Sequence, residues 1–190
     1  MKIKAENPVS LLGDQEYMPP ITAYFELCHL KQLYRQGWLR RGVPPQRCES
    51  IAEHSFGVAL LALWLAADQP GLDAARVLRM ALIHDIGEVY AGDIIPSDGV
   101  SEAEKHRLEA EAVRRILSCL PDGQVYLELW DEFEAGASPE ARFVRQIDRL
   151  EMGLQAAVYQ SQGLIDGAEF FASARQALTD PRLRALLDEI

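Results

Sequence analysis

The stretch ESIAEHSFGVALLALWLAADQPG (49–71) constrains the fold more than any other part of the chain. Ser50 and Glu53 have the spacing of a capping box, which starts a helix predicted over 51–68, and the Pro–Gly pair ends it. Phe56, Val58, Leu60, Leu61, Leu63, Trp64 and Leu65 fall on almost every side of that helix. A helix apolar all round is expected to be central, with other elements covering it. The greasy run 56–67 is too short to cross a bilayer.

The remaining elements read as helices that can do the covering. ITAYFELCHLKQLYRQ (21–36) has helical spacing and no internal breaker. GWLRRGVPPQRC (37–48) reads as a loop, because it holds Gly37, Gly42 and the Pro44–Pro45 pair. Asp73 caps a helix over 74–89, and a loop AGDIIPSDGV follows. Ser101 and Glu104 form a second capping box, for 102–119. Helices over 123–135 and 139–161 come next, the latter with Ser138 as cap and Pro139 in the first turn. Two short ones, 166–178 and 181–189, finish the chain. Alternating strand-like runs are absent, so the expected fold class is all-α. A length of 190 residues suits one domain, 1–190, with a sizeable core.

A formal net charge of −10 argues against broad electrostatic binding to a nucleic acid polymer or an anionic membrane. It leaves room for a small phosphorylated substrate, because a metal ion or a few arginines can reverse the field at one site. Cys28, Cys48 and Cys119 are odd in number and far apart, which fits a reducing setting better than a disulfide framework. The opening MKIKAENPVS lacks the apolar centre of a signal peptide. A cytoplasmic protein is therefore expected. The segment FFASARQAL (170–178) is a candidate homodimer face.

Chemistry concentrates in ALIHDIGEVYAGDI (81–94). His84 and Asp85 sit near the end of an apolar helix, and His54 lies in the first turns of the greasiest one. Asp148, in FVRQIDRLEM, falls on or near the apolar side of its own helix. Each alone has an ordinary explanation: a core histidine with satisfied ring nitrogens, or an aspartate paired with Arg145 or Arg149. Taken together, two core histidines and two core aspartates are economically explained by one shared cation. Imidazole with carboxylate suits a first-row divalent ion such as Mn, Fe, Co, Ni or Zn.

The segments GWLRRGV, ESIAEHSFGVALLAL, ALIHDIGEVYAGDI, EKHRLEAEAV and FVRQIDRLEMGLQAAVY, in that order, resemble the HD-domain metal-dependent phosphohydrolases. Within them the chain is similar to the subfamily of 5'-deoxynucleotidases, over about residues 20–185. The resemblance implies a single HD-domain helical bundle that hydrolyses nucleoside 5'-monophosphates to nucleoside and phosphate. It implies His54, His84, Asp85 and Asp148 as metal ligands and Glu88 as the acid/base residue. It sets Asp93 beside the substrate. It also implies a second, magnesium-type site made by Glu88, Asp93 and the carbonyl of Ile94, whose hard oxygens suit Mg²⁺.

On the substrate side, Arg40 and Arg41 can hold phosphate, and Trp38 can stack on a base or press on a sugar. An exposed basic loop explains the two arginines equally well. In the bacterial members an arginine directly precedes this tryptophan and is tied to preference for the deoxy sugar. Here Gly37 stands there and the nearest earlier arginine is Arg35, so ribo against deoxy stays open. Cys48 stands where the subfamily usually has proline. His29 reads as structural, His106 as exposed, and Lys105 and Arg107 as part of a solvated face. Two other readings stay open. One is an HD phosphohydrolase acting on a nucleoside triphosphate, a cyclic nucleotide or an alarmone; the other is a helical binding module without catalysis.

Overall fold

Side-chain oxygens of Ser50, Asp73, Ser101 and Ser138 start four of the helices where the sequence places them. A computed structural model describes residues 1–13 and 15–190. In order, α1 is Pro19–Leu27, α2 Gln36–Arg40, α3 Ile51–Ala66, α4 Ala74–Ile83 and α5 Glu88–Ala91. Then come α6 Glu102–Leu117, α7 Gly123–Ala135, α8 Pro139–Ser161, α9 Ala168–Ala177 and α10 Pro181–Leu187. Ser50 and Glu53 close a full capping box on α3. Ser138 caps α8 and Asp73 caps α4 through backbone N–H groups. At α6 only half the expected box forms. Ser101 accepts from the Glu104 N–H, while the Glu104 carboxylate is taken by Arg107.

The fold class is all-α. Among the described residues the only β-type pairings are two isolated bridges, Ile3 with Leu33 and Tyr34 with Ser50. These bridges correct the helix expected over 21–36. That helix ends at Leu27, a 3₁₀ turn spans Cys28–Lys31, and the chain then runs extended before turning into α2. The stretch expected to be a loop, 37–48, therefore holds most of α2 and a 3₁₀ turn at Pro45–Arg47.

Helix α3 packs on α4 and α8, α5 packs on α6, and α9 packs on α8. Ile51, Val58, Ala59, Ala62 and Ala66 are the buried apolar face of α3, and Ile147, Leu150 and Val144 meet it from the same core on α8. The expectation that α3 is covered on all sides is not met. Phe56, Leu63 and Trp64 are 63, 47 and 61 % exposed and lie on one side of the helix. Conversely, FFASARQAL does not present the free apolar face expected of it. Phe170 packs on Trp38, with ring centroids 4.2 Å apart, and Phe171 joins the same cluster.

The helix expected over 74–89 also breaks, and this break matters for the site. The Trp130 indole on α7 donates to the His84 carbonyl (3.2 Å), diverting that oxygen from the α-helical ladder. The next turn tightens to three-residue spacing, with Ile86 N–H bonding Ile83 O, Glu88 N–H bonding Asp85 O and Val89 N–H bonding Ile86 O. Gly87 lets α6 come close: a Cβ there would lie 2.6 Å from the Glu109 Cβ. Gly92, at φ +77°, then ends α5 in a conformation that favours glycine.

Ile147 is fully buried in this core, whereas Val125 on α7 is 58 % exposed. Ile147→Ala is expected to cost about 2–5 kcal/mol of stability and Val125→Ala within about 0.5 kcal/mol. Urea denaturation of the two variants checks this; equal losses would show the core to be elsewhere.

Candidate metal centre

Three helices and one tightened turn bring the sequence-chosen residues together. His54 comes from the first turn of α3 and is 1 % exposed. His84 and Asp85 come from the turn after α4, and Asp148 from the middle of α8. His54 Nε2 lies 3.1 Å from Asp148 Oδ1 and 3.7 Å from Asp85 Oδ2. His84 Nε2 lies 3.2 Å from Asp85 Oδ2. The remaining ring nitrogens have other partners: His84 Nδ1 donates to the Ala81 carbonyl (2.8 Å) and His54 Nδ1 to Glu151 Oε2 (2.6 Å).

This donor set fits a metal ion on an observation independent of motif. His54 Nε2, His84 Nε2 and Asp85 Oδ2 are buried and crowd one another and Asp148 at 3.1–3.7 Å, yet none makes a hydrogen bond of good geometry. One ligand atom from each of these residues falls within 4.8 Å of the others. Buried polar atoms normally find partners, and a cation at their meeting point would be one. The electrostatics agree. Burial and the Arg35 charge press the His54 pKa down, but Asp148 and Glu151 more than reverse this and raise it to about 10. Burial opposes ionisation of Asp85 and Asp148, yet His84 and His54 respectively hold both carboxyls well below the usual range. Without metal, protons on the imidazoles balance the two aspartates; a divalent cation can replace them, with proton release.

Glu88 and Asp93 lie beside this group. Glu88 is buried on the first turn of α5, and one of its carboxylate oxygens has no partner. Burial, Asp85 and Asp93 together push its pKa well above the usual carboxylate value, which favours the neutral form. Asp93 is 5 % exposed and accepts from the Gln36 backbone N–H and from Arg35 Nη1 (3.2 Å). Ile94 follows it on the wall of the same cavity. This cavity, about 560 Å³, is lined by Asp85, Glu88, Asp93, Asp148, Arg35 and Lys105, among others.

The substrate side differs from expectation. Trp38 lines the cavity but is only 2 % exposed; its indole donates to Glu49 (2.6 Å) and Phe170 covers its ring. No open Trp38 face is left for a base, and the neighbouring aromatic in the wall is Phe170. Arg40 binds Ser97 Oγ (2.6 Å) and Asp98, and Arg41 pairs with Glu169, all along the cavity's edge. Sequence reasoning gave Arg35 no role, although it reaches deepest among the arginines. Burial alone would weaken its charge, and Asp93, Asp85, Glu88 and Asp148 more than offset that. The signal was three residues upstream of Trp38, but only the bend before α2 turns it inward. Outside the site, His29 Nδ1 bonds the Val89 carbonyl (2.6 Å) and His106 stacks on Trp130.

Comparison with known proteins gives a consistent picture. A family model described as HD domain matches residues 27–189. The human protein named 5'-deoxynucleotidase HDDC2 is 38 % identical over 166 residues, covering 85 % of this chain and 79 % of its own. The fission yeast 5'-deoxynucleotidase hdd1 is 33 % identical over 172 residues, covering 86 and 84 %. Among solved structures, a conserved hypothetical protein from Pyrococcus furiosus superposes with a TM-score of 0.76 at 30 % identity, covering 89 and 97 % of the two chains. A predicted metal-dependent phosphohydrolase from Magnetospirillum magnetotacticum does so at 0.66 and 30 %, covering 90 and 88 %.

One buried acid near the site yields a pH test. Burial raises the Glu109 pKa from 4.5 to about 7. The folded chain thus binds this proton more tightly than the unfolded one. Its contribution to stability is complete below about pH 4.5 and is lost as pH rises through about 7. Glu109→Gln is expected to remove that part of the decline, read as the stability difference between parent and variant at pH 5 and pH 8. A difference that does not change with pH would contradict the assignment.

Proposed function

The chain belongs to the HD-domain family, and from that premise we propose that it is a metal-dependent hydrolase of the 5'-deoxynucleotidase class, releasing phosphate from nucleoside 5'-monophosphates. The observation that carries this is the meeting of three partnerless buried ligand atoms, on His54, His84 and Asp85, beside Asp148 at the wall of a cavity of nucleotide size.

His54, His84, Asp85 and Asp148 would hold the ion, and their mixed nitrogen and oxygen donors suit Mn, Co, Fe, Ni or Zn. When bound, such a cation supplies Lewis-acid activation of water and neutralises charge on the phosphoryl group. The other residues do the rest. Arg35 offers the guanidinium edge not used by Asp93 to phosphate oxygens. Glu88, whose buried carboxyl favours its neutral form, lines the cavity and can give a proton to the departing 5'-oxygen of the nucleoside. Asp93, fixed by Arg35 and the Gln36 N–H, orients the sugar end of the substrate. Glu88, Asp93 and the Ile94 carbonyl also offer hard oxygens for a second ion, Mg²⁺; Glu88 must then give up its proton. Arg40 and Arg41 draw an anionic substrate to the cavity mouth, and Phe170 rather than Trp38 is the aromatic surface against the nucleoside. Likeness to proteins named 5'-deoxynucleotidase favours a monophosphate over a nucleoside triphosphate, cyclic nucleotide or alarmone.

A nucleotide panel tests this reading. With Mn²⁺ or Co²⁺ the chain is expected to release phosphate from nucleoside 5'-monophosphates, and His84→Ala or Asp148→Asn to reduce the rate at least about 100-fold. Matched ribo and deoxy substrates read the sugar preference. No phosphate from any monophosphate with any metal would defeat the proposal.

The setting belongs to the same reading. Cys28, Cys48 and Cys119 are all unpaired, which suits the cytoplasm, and among the described residues no helix is long and apolar enough to cross a membrane. A homodimer would use α3 rather than the C-terminal segment. Exposed Phe56, Leu63 and Trp64, at about 150–250 Å² per aromatic side chain, supply a few hundred of the ~800 Å² per partner that a standard interface buries. Sedimentation velocity is expected to show a dimer that Trp64→Glu converts to monomer; a monomeric parent would contradict this.

A further inference from the structure

Glu151 is the buried acid that the scheme above leaves without a task. It is 7 % exposed, in the middle of α8 and one turn beyond Asp148. Its Oε2 lies 2.6 Å from His54 Nδ1, while Asp148 Oδ1 lies 3.1 Å from His54 Nε2. Helix α8 thus grips both edges of one imidazole with two carboxylates spaced one turn apart.

The two edges are not equivalent. A carboxylate is an acceptor only, so the ring atom beside Glu151 must carry the hydrogen. In the neutral ring this leaves the lone pair on Nε2, the nitrogen that faces Asp85 and Asp148. His84 is fixed in the same tautomer, but by the neutral Ala81 carbonyl. A charged acceptor strengthens the imidazole as a ligand more than a carbonyl does. The two histidines are therefore unequal, and His54 is the stronger donor.

The sequence makes room for this contact. Gly57 stands three residues after His54, on the same side of α3. A Cβ at Gly57 would lie 2.7 Å from Glu151 Oε1 and 3.2 Å from its Cγ. Any larger residue would force the carboxylate off its seat. Behind Glu151 stands Glu49, whose carboxylate accepts from the Trp38 indole in the cavity wall. Ligand atoms of Glu49, His54 and Glu151 lie within 4.8 Å of one another, which by spacing alone would also suit a cation. But His54 Nδ1 is already committed to its proton, and a cation there as well as at Nε2 would require an imidazolate.

We propose that Glu151 is a positioning residue, which holds the His54 proton on Nδ1 and so presents Nε2 to the metal, and that Gly57 provides its seat. This rests on the metal reading given above. The test is Co²⁺ binding to the full, metal-stripped chain, followed by titration calorimetry and the visible Co²⁺ spectrum, for the parent, Glu151→Gln, Gly57→Ala and the double variant. Glu151→Gln is expected to weaken Co²⁺ binding about 10–100-fold and shift the spectrum while circular dichroism is unchanged. Gly57→Ala is expected to weaken binding in the same direction, and the double variant to be no weaker than Glu151→Gln alone, because both act through one contact. If the parent binds Co²⁺ and Glu151→Gln binds it within twofold, the positioning role is overturned while the metal centre stands. Should Glu151→Gln not fold, Gly57→Ala decides in the same way. A parent that takes up no Co²⁺ would overturn the metal centre and this role together.

Discussion

Four carboxylates, those of Asp85, Glu88, Asp93 and Asp148, face one cavity in an apolar helical bundle. Like charges at close range in a poorly solvated space repel strongly. The rest of the site is organised around relieving that repulsion. Arg35 answers Asp93, imidazoles answer Asp85 and Asp148, and the neutral form of Glu88 is favoured. A divalent cation offsets more of this charge than any one of these devices, and it does so where the partnerless ligand atoms meet. The acidity of the whole chain is thus no obstacle to a phosphorylated substrate. With its ion in place and Arg35, Arg40, Arg41 and Lys105 along the walls, the cavity can favour an anion locally.

Much of the arrangement was legible in the sequence, because the signals were local. Capping residues at Ser50, Asp73, Ser101 and Ser138 mark helix starts by chemistry confined to one turn. His54, His84, Asp85 and Asp148 stand out because ionisable groups at apolar helix positions need an explanation, whereas Glu88 and Asp93 gain meaning from the resemblance to the 5'-deoxynucleotidases; the fold brings all six close together. What was not legible depends on contacts distant in sequence. The break after Ile83 is set by an indole 46 residues further on. The early end of α1 goes with bridges from Leu33 and Tyr34 to Ile3 and Ser50. Without the bend these bridges impose, Arg35 would read as one more surface cation.

The aromatic residues show the same limit from another side. Trp38 and Phe170 are 132 positions apart, and only their stacking reveals that Phe170 shields Trp38. Hydropathy alone makes α3 look wholly buried, because it counts apolar residues and is blind to what covers them. Its partners α4 and α8 take one side, and Phe56, Leu63 and Trp64 are left on the other. In DRLE, Glu151 has the sequence setting of a surface glutamate. Its meaning comes from Gly57 and His54 on a different helix.

On the proposed reading, His54, His84, Asp85 and Asp148 together hold one divalent ion. Anomalous diffraction at the manganese edge, from crystals grown with Mn²⁺, tests it most directly. A single strong peak is expected, bounded by His54 Nε2, His84 Nε2 and carboxylate oxygens of Asp85 and Asp148. Crystals with ordered side chains and no peak there, or a peak bound by other residues alone, would contradict it.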